Sequence, residues 1–164
     1  MPSRHPPLSH LTTRGDATMV DVGAKAVTAR SATARAVVLL PAVCRAALAR
    51  GGDTRKGNVL QVARLAGIMA AKRTSGLIPL CHPLPLDAIT VDLASTRTGV
   101  TITAVVGCSG RTGVEMEALT AVSIAALTVY DMLKAVSHDI VIGPIELVQK
   151  SGGRSGTIRR RPAT

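Results

Sequence analysis

Apolar and polar positions follow one another along this chain in a pattern that predicts four strands. Residues 26–39 are rich in Ala, Val and Thr, which favours a strand. Residues 89–93 and 100–104 alternate apolar with polar side chains on either side of a short turn, which is typical of a β-hairpin. Residues 140–148 predict the last strand, in which Pro144 requires an edge position or a bulge.

Three helices are predicted between these strands. The first begins at Pro41, which suits the first turn of a helix, and ends at the Gly51–Gly52 pair. The second covers about residues 58–73 and is apolar on most of its sides, so we expect it to be buried on both faces. The third is rich in Ala, and residues 112–115 fit a capping box at its start, in which the glutamate bonds the backbone.

The order of these elements predicts the fold class. A strand, two helices, a hairpin, a helix and a strand pack most simply as an α+β, ferredoxin-like antiparallel sheet with the helices on one face. The 164 residues and their 46% apolar side chains suit one domain with a real core. We place this domain at residues 11–156, between a disordered leader at 1–10 and a basic, disordered tail at 157–164.

Charge and aromatic content narrow the classes of function. The net charge of +10 indicates an anionic partner. Tyr130 is the one aromatic residue, since the chain has no Phe or Trp, so recognition of nucleic acids by base stacking is nearly excluded. The arginines at the C-terminus leave a nucleic-acid arm open as an alternative, but a solvated chain end is more usual, and we expect no nucleic-acid partner.

Hydropathy and cysteine spacing predict a cytoplasmic protein without a membrane partner. The longest stretches free of charge have 13 residues, whereas a membrane span needs about 20. The first residues lack the apolar core of a secretory signal. Cys44, Cys81 and Cys108 are odd in number and far apart, which argues against a disulfide framework and a structural zinc site. We therefore expect no metal ligands.

Lysine is scarce in this chain, and this scarcity points to candidate chemistry. Of the 20 basic side chains 15 are Arg, so arginine is the residue that usually provides positive charge at the surface of this protein. An ammonium group is a compact charge that can also give up a proton when its pKa is lowered. A cluster of lysines would therefore suit proton transfer beside phosphate binding, although each could equally be a surface residue. The five are Lys25, Lys56, Lys72, Lys134 and Lys150.

The long helix carries further polar candidates. Glu117, Thr120, Thr128 and Asp131 fall within an arc of about 80° at the rotation of an α-helix. Lys134 follows Asp131 by three residues, so the two side chains can pair on a rigid element. An ordinary solvent-facing stripe with an ion pair explains the same spacing.

Two loops complete the set of candidates. His82 lies in an apolar, proline-rich segment at residues 77–86, which favours a neutral imidazole in a fixed position, although a core histidine fits as well. Residues 150–156 combine Lys150 and Arg154 with small residues, which suits an anion such as phosphate. The lysine precedes the glycines, so this is not a P-loop, and a flexible linker explains the pattern equally well.

Taken together, these segments resemble the cyclic pyranopterin monophosphate synthase family of molybdenum-cofactor biosynthesis over about residues 10–156. The chain departs from the family pattern at Asn58, where Asp is usual, and at Arg154, where Lys is common. The motifs that carry the resemblance are Met19-Val20-Asp21-Val22, Lys56-Gly57, Ala70-Ala71-Lys72-Arg73-Thr74, residues 77–83, residues 112–121, Tyr130-Asp131-Met132-x-Lys134-Ala135 and Lys150-Ser151-Gly152-Gly153.

This resemblance implies a lyase that converts 3',8-cyclo-7,8-dihydroguanosine 5'-triphosphate to cyclic pyranopterin monophosphate and diphosphate. It implies acid-base roles for Lys56 and Lys134, with Asp131 positioning or taking protons. It also implies substrate binding by two groups of residues. The phosphates would lie among Lys25, Arg30, Lys72 and Lys150, and the ring near Leu80, Cys81, His82, Glu115, Met116 and Glu117.

The same resemblance implies a homo-oligomer, a hexamer built as a trimer of dimers with sites between subunits. We expect no cofactor, because cations can do much of the neutralisation of the leaving diphosphate without a metal. Mg²⁺ on the phosphates stays open as an alternative. Two alternatives remain at this stage: a nucleic-acid-binding module that uses the basic tail, and a carrier that binds a pterin or nucleotide without turnover.

Overall fold

The computed structural model describes residues 15–160 of the chain. Strands and helices alternate along these residues, as the hydrophobic pattern predicts. In chain order they are β1 (Thr28–Leu39), α1 (Ala42–Ala49), β2 (Asp53–Thr54), β3 (Gly57–Asn58), α2 (Val59–Ala71), α3 (Thr74–Leu77), β4 (Ala88–Ser95), β5 (Gly99–Gly110), α4 (Glu115–Leu133), β6 (Val141–Ser151) and β7 (Ile158–Arg159).

The main sheet has five antiparallel strands in the order β4-β5-β1-β6-β7. Its four long strands have the order of a ferredoxin-like sheet, because β1 lies between β5 and β6 and the β4–β5 hairpin closes one side. The predicted α+β class is therefore confirmed. Strand β5 continues to Gly110, well past the predicted residue 104, and this extension carries the sheet to the start of α4.

The core lies between the sheet and the helices α2 and α4. Side chains of β1 alternate in burial, and Ala32, Ala34 and Ala36 are fully buried on the helix side. Small residues on this face let α4 approach β1 closely. Helix α2 packs in turn against α4, where the backbone carbonyl of Ala121 lies 3.0 Å from the position that a Cβ atom on Gly67 would occupy.

Helix α4 is long and apolar enough, by length and composition alone, to cross a membrane. In this fold it is the central core helix. Most of its apolar side chains are buried against the sheet and α2. The high hydropathy of α4 is therefore that of a core helix. Its buried residues are Glu117, Ala118, Thr120, Ala121, Val122, Ala125, Ala126, Val129, Met132 and Leu133.

Two predictions at helix starts have different outcomes. Asn58 caps α2, because its side chain accepts a hydrogen bond of 3.2 Å from the backbone N–H of Gln61, so the family's usual Asp is not needed there. The predicted capping box at residues 112–115 is wrong. Val114 precedes α4 and no side chain among the described residues caps it, because the Glu115 carboxylate is engaged with a lysine instead.

The last strands differ in part from the sequence prediction. The predicted bulge at Pro144 is confirmed. Between the pairs Ala36–Ile145 and Val38–Ile142, one residue of β1, Val37, opposes two of β6, Gly143 and Pro144. Strand β7 pairs with β6 within the tail that we predict to be disordered, so the tail is ordered at least as far as this pairing. The predicted leader at 1–10 and residues 161–164 lie outside the described residues, and the domain limits 11–156 remain a prediction.

Candidate active site

Three of the candidate residues meet at the C-terminal end of α4. Asp131 accepts a hydrogen bond of 2.6 Å from the Lys56 ammonium on one carboxylate oxygen and forms an ion pair of 2.8 Å with Lys134 through the other. The predicted pair between Asp131 and Lys134 is therefore confirmed. We call these three residues the lysine cluster.

A small hairpin that the sequence pattern did not predict brings Lys56 to α4. Strands β2 and β3 pair Asp53 with Asn58 and Thr54 with Gly57, so Lys56 lies in the turn between them. The Thr54 hydroxyl donates to the Gly57 carbonyl at 2.9 Å and accepts from the Lys56 backbone N–H at 3.1 Å. These bonds fix the turn, and the lysine side chain extends from it to Asp131.

The electrostatics of the lysine cluster favour its charged forms. Hydrogen bonds from Lys134 and then from Lys56 lower the pKa of Asp131 from its ordinary 3.8 to about 2. The hydrogen bond to Asp131 raises the pKa of Lys134 above its ordinary value. About half of each side chain is exposed, so a ligand has access to all three. At neutral pH Lys134 is thus a proton donor held beside a carboxylate.

A second group of candidates surrounds a cavity of about 590 Å³ near the N-terminal end of α4. Lys25, Arg30 and Lys150 line it, as does Glu115. We call this space the cationic cavity. Lys150 donates to the Glu115 carboxylate at 2.7 Å across the cavity wall, and both side chains are partly buried.

Backbone carbonyls hold the cations of this cavity in place. Arg30 extends from β1 and donates through Nε to the Gly110 carbonyl at 2.8 Å and through Nη2 to the Arg111 carbonyl at 3.1 Å. Arg111 donates through Nε to the Lys25 carbonyl at 3.2 Å, which ties the segment that carries Lys25 to the end of β5. The cationic cavity is therefore shaped before any ligand binds.

A smaller cavity of about 330 Å³ adjoins the cationic cavity, since both are lined by Lys25, Thr112, Gly113 and Glu115. We call it the ring cavity. Its less basic wall matches the predicted ring-binding residues, and the candidates that line it are Leu80, Cys81, His82, Glu115, Met116 and Glu117.

Three groups in the ring cavity have defined chemistry. The Nε2 atom of His82 lies 2.8 Å from the Val20 carbonyl, and because a carbonyl only accepts, this nitrogen carries a proton in the contact. Glu117 is 4% exposed, and burial, with Glu115 nearby, raises the pKa of its carboxyl. Burial and then Glu117 raise the pKa of the Cys81 thiol, so this thiol stays protonated at neutral pH.

The structure separates the polar positions that helical spacing placed together on α4. Glu117 and Thr120 are buried, so they form no solvent-facing stripe. The Thr128 hydroxyl donates to the Ile124 carbonyl at 2.8 Å within the helix. Asp131 is thus the one member of that arc that belongs to the lysine cluster.

The two groups of candidates lie far apart within one chain. Glu115 begins α4 and Asp131 lies near its end, and at a rise of about 1.5 Å per residue their Cα atoms are about 24 Å apart. Lys72 joins neither group, since it follows α2 as an exposed residue and lines neither cavity. Within one chain, no single site formed by residues 15–160 contains all the candidate residues.

Sequence reasoning missed some residues of the cationic cavity. Arg111 lines it and was assigned no role, and Thr112 and Gly113 were interpreted only as part of a helix cap. The signal was a polar, glycine-containing segment between a strand and a helix start, where exposed backbone N–H groups gather. Within residues 15–160 no three His, Cys, Asp or Glu side chains lie together as metal ligands.

Known proteins were compared with the chain as a whole. The MoaC family model matches residues 19–153. Proteins named cyclic pyranopterin monophosphate synthase are similar over nearly their full length. The one from Novosphingobium aromaticivorans is 55% identical over 92% of this chain and 95% of its own. The one from Methylobacterium nodulans is 57% identical over 96% and 99%, and the one from Thermomicrobium roseum is 58% identical over 93% of each. With this family model and these relatives, the chain belongs to the MoaC family.

Proposed function

We propose that this protein is a lyase of molybdenum-cofactor biosynthesis that converts 3',8-cyclo-7,8-dihydroguanosine 5'-triphosphate to cyclic pyranopterin monophosphate and diphosphate. Its relatives carry the name of that enzyme. The observation that carries the proposal is the pair of adjoining cavities, one lined by cations and one by less basic side chains, on the residues that the family motifs supply. The proposed substrate also has two parts, a charged triphosphate and a purine-derived ring, so each part corresponds to one cavity.

The cationic cavity is the proposed site of the triphosphate. Lys25, Arg30 and Lys150 provide positive charge there, and hydrogen bonds hold the arginine in place. Forming the cyclic phosphate requires an internal hydroxyl in line with the α-phosphate, while charge develops on the departing diphosphate. Fixed cations stabilise that charge without having to reorganise.

The ring cavity is the proposed site of the guanine-derived ring. The imidazole of His82, which its hydrogen bond to the Val20 carbonyl fixes in place, and the carboxyl groups of Glu115 and Glu117 provide polar groups for its edge. Leu80 and Met116 provide apolar contact. The raised pKa of Glu117 favours a carboxyl that can also donate a hydrogen bond.

The lysine cluster is the proposed acid-base group of the ring rearrangement. Asp131 stabilises both ammonium groups, so a lysine that gives a proton to the substrate can later recover it beside the same carboxylate. Side chains that exchange protons in this way contribute about 100-fold to 10,000-fold to a rate.

A second copy of the chain is proposed to complete each site. A ring held beside Glu115 lies about 24 Å along α4 from Asp131 of its own chain, so the lysine cluster that acts on it comes from a neighbour. In the same arrangement, Lys72 of one chain contributes to the site of a neighbouring chain. We propose the hexamer, a trimer of dimers, that the resemblance implies, in the cytoplasm.

Turnover of the cyclic GTP derivative by the purified protein tests this function. We expect release of diphosphate by the wild type and a loss of at least about 100-fold in Lys56→Ala and in Lys134→Ala. Arg55→Ala is the matched control, because it removes the neighbouring exposed cation of the same turn, which makes no side-chain hydrogen bond or ion pair within residues 15–160. Full activity in both lysine variants would contradict the assigned mechanism, and wild-type binding without turnover would favour a carrier.

A further inference from the structure

The segment between β6 and β7 forms part of the wall of the cationic cavity. Gly153, Arg154 and Ser155 line the cavity. Lys150 at the end of β6 pairs with Ile158 in β7, so the segment between them is a hairpin loop whose two ends are paired. The family model ends at residue 153, so β7 lies beyond the residues that the model matches.

The first half of this loop lies directly on β1. A Cβ atom at Gly152 would collide with the Ala29 carbonyl, and one at Gly153 would collide with the Arg30 guanidinium. Both glycines have positive φ angles, +96° and +68°. The backbone N–H of Gly156 then donates to the Gly153 carbonyl at 3.2 Å, which closes a turn around Arg154. The loop conformation therefore places an arginine beside Arg30 and Lys150.

The second half of the loop depends on β7. The backbone N–H of Arg160 donates to the Val148 carbonyl at 2.9 Å, which continues the pairing of β7 with β6. Hydrogen-bonded pairs alternate along an antiparallel ladder, so Lys150 and Ile158 form the next such pair. The backbone of Lys150, a predicted phosphate ligand, is thus joined to the C-terminal strand.

A partly buried carboxylate fastens this strand to the sheet. The side chain of Glu146 on β6 is 11% exposed and forms ion pairs with Arg35 on β1 and Arg160 after β7. Arg35 also donates through Nε to the same carboxylate at 3.0 Å. Hydrogen bonding from Arg35, supported by the charge of Arg160, lowers the pKa of Glu146. The carboxylate thus links β6 to β1 and to the residue that follows β7.

We propose that β7 with Arg160, Glu146 and Arg35 forms a C-terminal clamp that positions Arg154 as a further phosphate-binding cation of the cationic cavity. Arg154 contacts the anion, and Glu146 and Arg160 are positioning residues. The inference rests on the proposed function only for the identity of the full substrate. A row of fixed cations recognises a chain of phosphates whatever the rest of the ligand is.

Pre-organisation is the physical reason for this role. Without β7 the loop after Gly153 is held at one end only, and Arg154 must be ordered each time that an anion binds. Ordering such a side chain weakens binding by about twofold to tenfold. A different role for β7 is to cover the exposed edge of β6. That role predicts a change in stability or association and no change in phosphate affinity.

Binding of inorganic tripolyphosphate to the full-length protein, measured by calorimetry, distinguishes the two roles. Arg154→Ala is expected to weaken binding about tenfold or more, because it removes a charge-assisted contact. Glu146→Gln is the sharper test. It raises the net charge by one unit, so long-range electrostatics alone predict tighter binding, whereas release of the clamp predicts binding several-fold weaker.

A charge-neutral variant tests the strand itself. Ile158→Pro removes a backbone donor from the pairing with Lys150, and we expect a loss of affinity similar to that of Glu146→Gln. The loss should not add to that of Arg154→Ala in the double variant, since both act through the same arginine. Arg159→Lys is the matched control, because it keeps the charge and because the Arg159 side chain makes no hydrogen bond or ion pair within the described residues. It should bind as the wild type does.

Turnover of the cyclic GTP derivative separates this inference from the proposed function. We expect Glu146→Gln and Ile158→Pro to raise KM and leave kcat within about twofold, as loss of uniform binding does. If the wild type fails to release diphosphate while the tripolyphosphate results hold, the proposed lyase is wrong and the clamp stands. If the wild type turns over and both clamp variants bind tripolyphosphate as it does, the clamp is wrong. A folded Arg154→Ala variant of wild-type affinity also overturns it.

Discussion

Asp131 accepts hydrogen bonds from two lysines that reach it by different routes. Lys134 is three residues away on the same helical segment, and this local contact follows from helix geometry alone. Lys56 is 75 residues away and comes from the turn between β2 and β3. No spacing rule connects it with Asp131. The scarcity of lysine made Lys56 a candidate, and the resemblance to a family placed it beside Asp131.

The titration of Asp131 tests this cluster. The carboxyl has a pKa of about 2, below its ordinary 3.8, so it stays ionised at pH 3, where an unperturbed aspartate is mostly protonated. Its contribution to stability is therefore present above 3.8 and is lost as the pH falls through about 2. Carbon-13 NMR of the side-chain carboxyl at pH 3 measures this directly.

Lys134→Ala should raise the Asp131 pKa towards its ordinary value, because the hydrogen bond from Lys134 is the largest cause of the shift. Arg55→Ala should leave the carboxyl unchanged, since that arginine makes no side-chain hydrogen bond or ion pair within residues 15–160. A wild-type Asp131 already half protonated near pH 4 would contradict the geometry described here.

At the scale of elements, α2 and α4 meet at a contact that leaves no room for a side chain. Gly67 on α2 is buried, and a Cβ atom there would lie 3.0 Å from the Ala121 carbonyl and 3.3 Å from Cβ of Ala125. Because Gly67 has no Cβ atom, the two core helices can approach closely at this contact. Helix α4 carries Glu115 and Asp131 at its two ends, so this packing also fixes the orientation of both sites.

Gly67→Ala is therefore expected to destabilise the protein. Alanine normally favours a helix over glycine, but overpacking costs about 1–3 kcal/mol, and the carbonyl cannot move without disturbing α4. Thermal unfolding at a fixed protein concentration measures the effect. Gly76→Ala in α3 is the matched control, because nothing lies within 4 Å of the added Cβ atom, and its midpoint should match or exceed that of the wild type. Equal midpoints for wild type and Gly67→Ala would contradict the close contact.

The elements differ in how far their sequence predicts them. Strand β1 and helices α2 and α4 have a hydrophobic period long enough to be recognised locally. Strands β2 and β3 and helix α3 have two to four residues each, too few to show any period. Strand β7 has an arginine-rich composition that is typical of a solvated chain end, and its partner, Glu146, lies on another strand. The capping box failed for a similar reason, because Lys150 on β6 holds the Glu115 carboxylate.

At the scale of the whole molecule, the length of α4 favours a site that a second chain completes. The cationic and ring cavities lie at its start and the lysine cluster at its end. The sheet also keeps one face free of helices, and Leu39, Val105 and Val141 are exposed there. Exposed apolar side chains on an uncovered sheet face favour contact between copies of a chain. The site and the surface thus both favour the proposed homo-oligomer.

Mixed assemblies of two inactive variants test whether sites span chains. Lys56→Ala keeps both cavities and loses the lysine cluster, whereas Lys150→Ala loses the cationic cavity and keeps the cluster. When the two chains are coexpressed and assemble at random, about a quarter of the sites combine two intact halves. Diphosphate release by the mixture should then reach about a quarter of the wild-type rate.

The matched control pairs Lys56→Ala with Lys134→Ala, both defective in the same cluster. No combination of these chains restores an intact site, so the mixture should stay as inactive as its components. A site shared between chains requires activity in the Lys56→Ala and Lys150→Ala mixture and none in this control mixture. If each chain bore a complete site, the Lys56→Ala and Lys150→Ala mixture would also stay inactive, and the separation of about 24 Å along α4 would then have to be closed by rearrangement within one chain.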